Sequence, residues 1–364
     1  MFSLHIDTAR TWRGGQQQAL LTLLGLRERG HRAVLVARPD GELYRRAREG
    51  ADLVGLAPRN EVDLAAAWKL SRVIRQFAPD VVHAHDPHAV AMAGTALSFG
   101  ASSPTPPLVA SRRVDFHLGG NSFSRWKYRQ VARFIAASGA IRDILVQDGI
   151  PAPQVEVVHD GIDVEKVQGL PRVDLHVEFW LPHGVPVVVN VGALVGHKGQ
   201  KHLLDAMPLV MREVPDTHLV ILGEGELRGP LERQIKDLHL EKAVRLPGFR
   251  EDVLSLMKSA DLFVMSSVTE GLGSAVLDAM AMGLAVVGTQ AGGIPEAVVH
   301  RETGLLVPPG EPKPLAAAIV RLLKDPLRRA QFGHAGRTRV EQRFGVDRLV
   351  DGTLAVYREV LGKT

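Results

Sequence analysis

With 364 residues, 45% hydrophobic and 23% charged, the chain is globular, too long for one compact core and suited to two ordinary domains. Cysteine is absent, which excludes disulfides, a thiol nucleophile and Cys-ligated zinc or iron–sulfur sites, and agrees with a reducing compartment. A formal charge of +4 is below what a dedicated nucleic-acid binder carries, and no run of about 18 apolar residues offers a membrane span.

The opening FSLHI predicts a short strand, and a charge and a Gly pair follow too soon for a secretory leader, so none is expected. TWRGGQQQALLTLLGLRERGHRAVLVA predicts a Gly-rich turn at Gly14-Gly15, a helix carrying Leu20, Leu23, Leu24 and Leu26, a stop at Gly30 and a second strand. AAAWKLSRVIRQFAPDVVHAH reads helix then strand, with Pro79 at the junction, and ARFIAASGAIRDILVQDGI reads strand then helix. Around residues 160–186 scattered Gly and Pro interrupt the pattern, as an interdomain connector would. The alternation then restarts with VVVNVGAL and runs to LFVMSS. Near the end, Leu349/Val350, Leu354, Tyr357 and Val360/Leu361 form a helical stripe. Strands alternating with helices imply parallel sheets, so two doubly wound α/β domains are expected, with ligand in the cleft at the strand carboxyl ends.

The segment EGLGSAVLDAMAMGLAVVGTQAGGIPE (270–296) carries most of the chemistry. Glu270 precedes the turn Gly271-Leu272-Gly273 and the helix that Ser274 enters, and Asp278 follows inside that helix. Amides at a helix start bind anionic oxygens, while carboxylates only accept hydrogen bonds, which suits sugar hydroxyls. If Gly271 to Asp278 is roughly one helix, the spacing turns both carboxylates to the same side. His83-Ala-His85-Asp86-Pro-His88 almost matches a metallo-hydrolase zinc signature, but Pro87 occupies the position of its aspartate. Histidines at a strand end facing the cleft are the expected reading, and no metal site is assigned.

Taken in order, RGGQQQALLTLLGLRERGH, DVVHAH (80–85), IAASGAIRDIL (135–145), VVHDGID (157–163), VGALVGHKG (191–199), LVILGEGELRGPLE (219–232), LPGFREDV (246–253) and the 270–296 segment resemble the retaining nucleotide-sugar glycosyltransferases of family 4, glycosyl transferases group 1. The resemblance covers nearly the whole chain. It implies the GT-B fold: two doubly wound Rossmann-like domains facing a cleft. Residues 1–165 would be the acceptor side and 166–344 the donor domain, with a helix at 345–364 packing back on the first. It further implies transfer of a hexose or heptose from a nucleoside-diphosphate sugar to a cell-envelope acceptor (lipopolysaccharide, glycolipid or polysaccharide), without a bound metal or other cofactor. Residue by residue, Glu270 would contact the transferring sugar and Asp278 the ribose, while Lys198 would neutralise the diphosphate. The Gly14 and Gly15 amides would approach the same phosphates, and Gly271, Leu272, Gly273 and Ser274 would complete the donor site. Arg13, His85 and Arg112 fall on the acceptor side.

Three positions depart from the pattern. Ala193 stands where a second diphosphate cation is usual, and Asp278 is one methylene shorter than the usual glutamate. Arg113 falls where the family has a histidine, so either Arg112 or Arg113 substitutes as a permanent cation, or His117 reaches in from the next turn. Arg113 and His117 are therefore both carried as catalytic candidates beside Lys198 and Glu270. The rival functions are a GT-B nucleotide-sugar 2-epimerase or phosphorylase, and a non-catalytic sugar-nucleotide binding protein. Residues 112–133 hold six Lys/Arg (112, 113, 125, 127, 129 and 133) against Asp115, with Phe116, Phe123, Trp126 and Tyr128 interleaved. Such a lip predicts a cytoplasmic protein in peripheral contact with an anionic membrane or lipid-linked glycan acceptor, and no nucleic-acid partner.

Overall fold

The computed structural model describes residues 1–100 and 104–362. They divide into two units: Met1–Gly161 together with the stretch beginning at Val346, and Ile162–Gly345. Among the described residues, the first unit builds a parallel sheet from β1 (Phe2–Asp7), β2 (Arg32–Ala37), β3 (Asp52–Gly55), β4 (Val81–Ala84), β5 (Leu108–Arg112), β6 (Val131–Ala136) and β7 (Val155–Val157). Their spatial order is β3-β2-β1-β4-β5-β6-β7. The second unit repeats the plan with β8 (Val187–Val191), β9 (His218–Leu222), β10 (Val244–Gly248), β11 (Leu262–Met265), β12 (Val286–Thr289) and β13 (Gly304–Val307), ordered β10-β9-β8-β11-β12-β13. In each sheet the chain first winds one way and then crosses to the other side. The switch points fall between β1 and β4 and between β8 and β11, where doubly wound folds bind ligands.

Alternating side chains divide the first core into two layers. Leu4, Ile6, Val34, Val36, Val82 and Phe134 face Leu70, Ile74 and Ile141 on one side of the sheet. Leu35, Val81, Val109 and Ile135 face Leu23, Leu26, Leu349 and Leu354 on the other. The helix Val346–Val360, which follows the whole second unit in sequence, therefore completes a core of the first. Capping side chains start the intervening helices: Asp63 accepts from Ala66 N at 3.1 Å and Ser138 from Ile141 N at 3.2 Å. Gly30, at φ 77°, closes the helix Gly14–Glu28.

Two elements differ from the sequence expectation. Gly14 and Gly15 are the first residues of the helix Gly14–Glu28 rather than a turn before it. The stretch 160–186 is no bare connector, because Ile162, Val167, Leu175, Phe179 and Leu181 belong to the core of the second unit. Its helices Val164–Gly169 and Leu175–Glu178 run less than two turns, too short for an apolar period to show. Local chemistry still marks them: Asp163 caps Lys166 N at 3.0 Å and Asp174 caps His176 N at 2.8 Å. No helix among the described residues is long and apolar enough to cross a membrane.

Candidate functional site

In the second unit, the loops after β8 and β11 meet at the switch point. After β8 a short turn, Gly196–Lys198, ends at Gly199 in the left-handed region with φ 64°. A Cβ on Gly199 would lie 2.2 Å from the Ser266 carbonyl, so only glycine permits this approach. The crossing is stitched by Ser266 Oγ donating to Lys198 O at 3.1 Å and by Val268 N donating to His197 O at 2.7 Å. Lys198 is thereby brought to Glu270, its Nζ 2.6 Å from Oε2, with Ser267 Oγ donating to the same oxygen at 2.9 Å. Both side chains remain in part open to solvent, 18% for Lys198 and 12% for Glu270.

A second glycine turn supports the carboxylate from behind. Gly293 N donates to the carbonyls of Glu270 and Gly271, each at 3.1 Å, and a Cβ on Gly292 would lie 1.7 Å from Glu270 O. The helix after the turn begins only at Ser274, because Gly273 takes φ 90°. Glu270 and Asp278 are therefore not on one helix, and the spacing argument for a shared face does not apply. Glu270 is aimed by its loop and by Lys198. Asp278 lies inside the helix Ser274–Ala281, nearly buried, with no hydrogen-bond partner for Oδ1. Burial pushes its carboxyl up from the ordinary 3.8 to about 7. Leu272 is core. Ala193 offers no cation; its carbonyl accepts from Gln200 Nε2 at 3.0 Å.

The switch point of the first unit is built differently. His5 on β1 and His83 on β4 are register partners, and Ser3, His5, His83, His85 and Ser111 are all buried. His5 Nδ1 lies 2.9 Å from His85 Nε2, and His5 Nε2 lies 2.9 Å from Ser3 Oγ. His83 Nδ1 meets the Tyr357 hydroxyl at 2.6 Å and its Nε2 meets Ser111 Oγ at 2.8 Å. Burial holds all three imidazoles below their ordinary range, His5 at about 3. Asp7, at the end of β1, accepts from Ala9 N and Gln16 Nε2, and burial and then the Asp86 charge push it up to about 6.

The acceptor-side candidates divide around this cluster. Arg113 joins it: Nε donates to Asp160 at 3.0 Å and Nη1 faces His85 Nδ1 at 3.4 Å, with both charged side chains 9% exposed. His85 thus has both ring nitrogens engaged within the unit. His117 stays outside, two-thirds exposed and 2.7 Å from Asp148. Arg112 is buried and donates to Phe116 O, leaving Nε without a partner. Arg13 is the N-cap residue of the helix that Gly14 and Gly15 open. The expected basic lip is largely neutralised, since Arg113 pairs with Asp160, Lys127 with Glu61 and Arg133 with Glu359. Arg125, Arg129 and Phe116 remain exposed. Ser267 carries no sequence signal of its own, while Asp160 shows only within VVHDGID and Tyr357 only within the helical stripe; polar residues at positions 3, 5 and 7 of an otherwise apolar strand were the available signal for the histidine cluster.

The family described as "Glycosyl transferases group 1" matches residues 174–339, and "Glycosyltransferase Family 4" matches residues 12–166. N-acetyl-alpha-D-glucosaminyl L-malate synthase of Bacillus anthracis is 25% identical over 305 residues, 82% of this chain and 80% of that protein. The lipopolysaccharide core biosynthesis glycosyltransferase LpsD of Rhizobium meliloti is 26% identical over 354 residues, 96% of each chain. The crystal structure of Anabaena HepE in complex with UDP and glucose superposes with a TM-score of 0.86 at 23% identity, covering 99% of this chain and 100% of that one. At that identity the likeness speaks for the fold.

Proposed function

We propose, since the chain belongs to glycosyltransferase family 4 and carries its GT-B fold, that it moves a hexose or heptose from a nucleoside-diphosphate sugar to a cell-envelope acceptor with retention at the anomeric carbon. The observation that carries this reading is the Lys198–Glu270 pair, 2.6 Å long and seated between two glycine-dependent turns at the second unit's switch point. An incoming diphosphate competes with Glu270 for the Lys198 ammonium. The released carboxylate then accepts hydroxyls of the transferring sugar, and the buried Asp278 carboxyl offers an unused oxygen to the ribose. As the nucleoside diphosphate departs, Lys198 and the amides opening the helix Ser274–Ala281 stabilise its growing charge. A phosphate oxygen of the leaving group takes the acceptor proton on the same face, and no protein nucleophile is assigned. Lys198 and those amides fill the part a divalent cation has in other sugar transferases, so transfer is expected to survive chelation.

Support for the donor comes from HepE, whose crystals hold UDP and glucose, and support for the acceptor class from LpsD, named for lipopolysaccharide core biosynthesis. Membrane contact enters in a narrower form than 112–133 suggested: the exposed Arg125, Arg129 and Phe116 would touch an anionic surface on a cytoplasmic, peripherally bound enzyme. A thermal-shift panel of UDP-, GDP- and ADP-sugars tests the reading, because a ligand that binds only the native state raises its melting temperature. One donor class should stabilise the protein and give an axial product anomer from an axial donor, with EDTA present or absent. No shift with any nucleotide sugar, or epimerised sugar formed without acceptor, would overturn it.

A further inference from the structure

The three buried histidines of the first unit each offer one ring nitrogen to a group whose atoms lie within 4.8 Å of one another, close enough to hold a metal ion. Their hydrogen bonds point elsewhere. The decisive group is Arg113, because a guanidinium donates and never accepts. With Arg113 Nη1 facing His85 Nδ1 at 3.4 Å, that nitrogen must carry a lone pair. The proton of neutral His85 is then on Nε2, which donates to His5 Nδ1 at 2.9 Å. His5 must in turn carry its proton on Nε2, which donates to Ser3 Oγ at 2.9 Å. The Ser3 hydroxyl stands against the Tyr357 phenol oxygen, and the Tyr357 proton passes to His83 Nδ1 at 2.6 Å. His83 is left with Nε2–H, donating to Ser111 Oγ at 2.8 Å. One boundary condition orders every ring in the series.

We propose that Arg113 is a positioning residue which, pinned by Asp160, fixes His85, His5 and His83 in a single neutral Nε2–H tautomer and turns a potential metal cluster into a one-way hydrogen-bond ladder that passes through Tyr357 of the helix Val346–Val360 and ends at Ser111. The residue types fit the role. Asp160 binds Nε and keeps the guanidinium edge turned to His85, and a lysine could not hold two partners in that fixed geometry. Every ring nitrogen of the three histidines has a protein partner, so a metal ion would have to break the ladder and displace Arg113. Burial, which disfavours imidazolium, works in the same direction. The assignment holds whichever sugar or acceptor the enzyme uses.

Ring-nitrogen NMR of the full chain labelled with 15N-histidine tests it. In the wild type, three histidines should show protonated Nε2 and bare Nδ1, unchanged between about pH 5 and 8, where an ordinary histidine titrates. They should also be unchanged when Zn²⁺ is added. Arg113→Met should release His85, His5 and His83 into mixed tautomers or titration. Tyr357→Phe should perturb His83 and leave His85 in place, which keeps the test available if the arginine variant does not fold. Protonated Nδ1 at any of the three, titration within that range, a zinc-induced shift, or an Arg113→Met spectrum identical to wild type would each overturn the proposal.

Discussion

The two units have the same strand order up to the sixth strand, and at each switch point polar side chains gather, yet the two gatherings have opposite characters. In the first unit every ring nitrogen of the three histidines has a protein partner. In the second, Lys198 and Glu270 satisfy one another from positions still open to solvent, and Asp278 keeps a buried oxygen with no partner. A completed polar network makes a core rigid and specific, and it resists ligand entry because any newcomer must break a bond before making one. An incomplete network costs stability and offers contacts that a ligand can complete. Under the proposed function, the second switch point is the place where the donor binds and the first is the frame.

The sharpest way to break this comparison is to remove the cation. Lys198→Ala should lower kcat by about two to three orders of magnitude, on the scale of losing one oxyanion-stabilising donor, while the melting temperature changes little. A turnover within a few-fold of wild type would deny the second site its electrostatic role. The next effect is on stability against pH. Asp278 has its folded carboxyl raised from 3.8 to about 7 by burial, so between those values the folded state keeps a proton that the unfolded state has lost. Stability must therefore fall as pH rises through that window, by roughly 4 kcal/mol at most. Denaturant melts of the wild type and Asp278→Asn from about pH 4 to 8 should diverge in slope, with the variant flatter. Parallel curves would mean that the carboxyl is solvated. The smallest effect is expected at His117, exposed and paired with Asp148 at 2.7 Å. His117→Ala should change stability by less than about 1 kcal/mol and kcat by no more than about twofold. A loss of about a hundredfold would bring His117 into the catalytic machinery instead.

Much of this was legible from residue order. Short apolar strands alternating with amphipathic helices announced two doubly wound sheets, and the ordered motifs announced the family. The crossing helix showed through its stripe at Leu349, Leu354 and Tyr357. What stayed hidden depended on local geometry or on partners distant in sequence. Gly273 at φ 90° delays the helix, which separates Glu270 from Asp278, and glycine identity alone does not say which conformation it takes. The short helices near 164–178 carry less than one full apolar period. Arg113 was picked out as the cation standing where the family has a histidine, but its partner Asp160 is 47 residues away and the ladder's tyrosine rung, Tyr357, lies beyond the entire second unit.

That last separation governs how the protein is made. Synthesis proceeds from the N-terminus at about 5 to 20 residues per second, and domains ordinarily condense as they emerge. Here residues 1–161 emerge first but lack the helix Val346–Val360, so the layer of Leu35, Val109 and Ile135 has Leu23 and Leu26 against it but not Leu349 and Leu354, and His83 lacks its tyrosine until the intervening unit has been translated. A nascent first unit therefore waits for about ten to forty seconds with an apolar face partly bare, a window in which chaperones would be its natural companions, and a premature stop near position 345 would leave that face partly exposed for good.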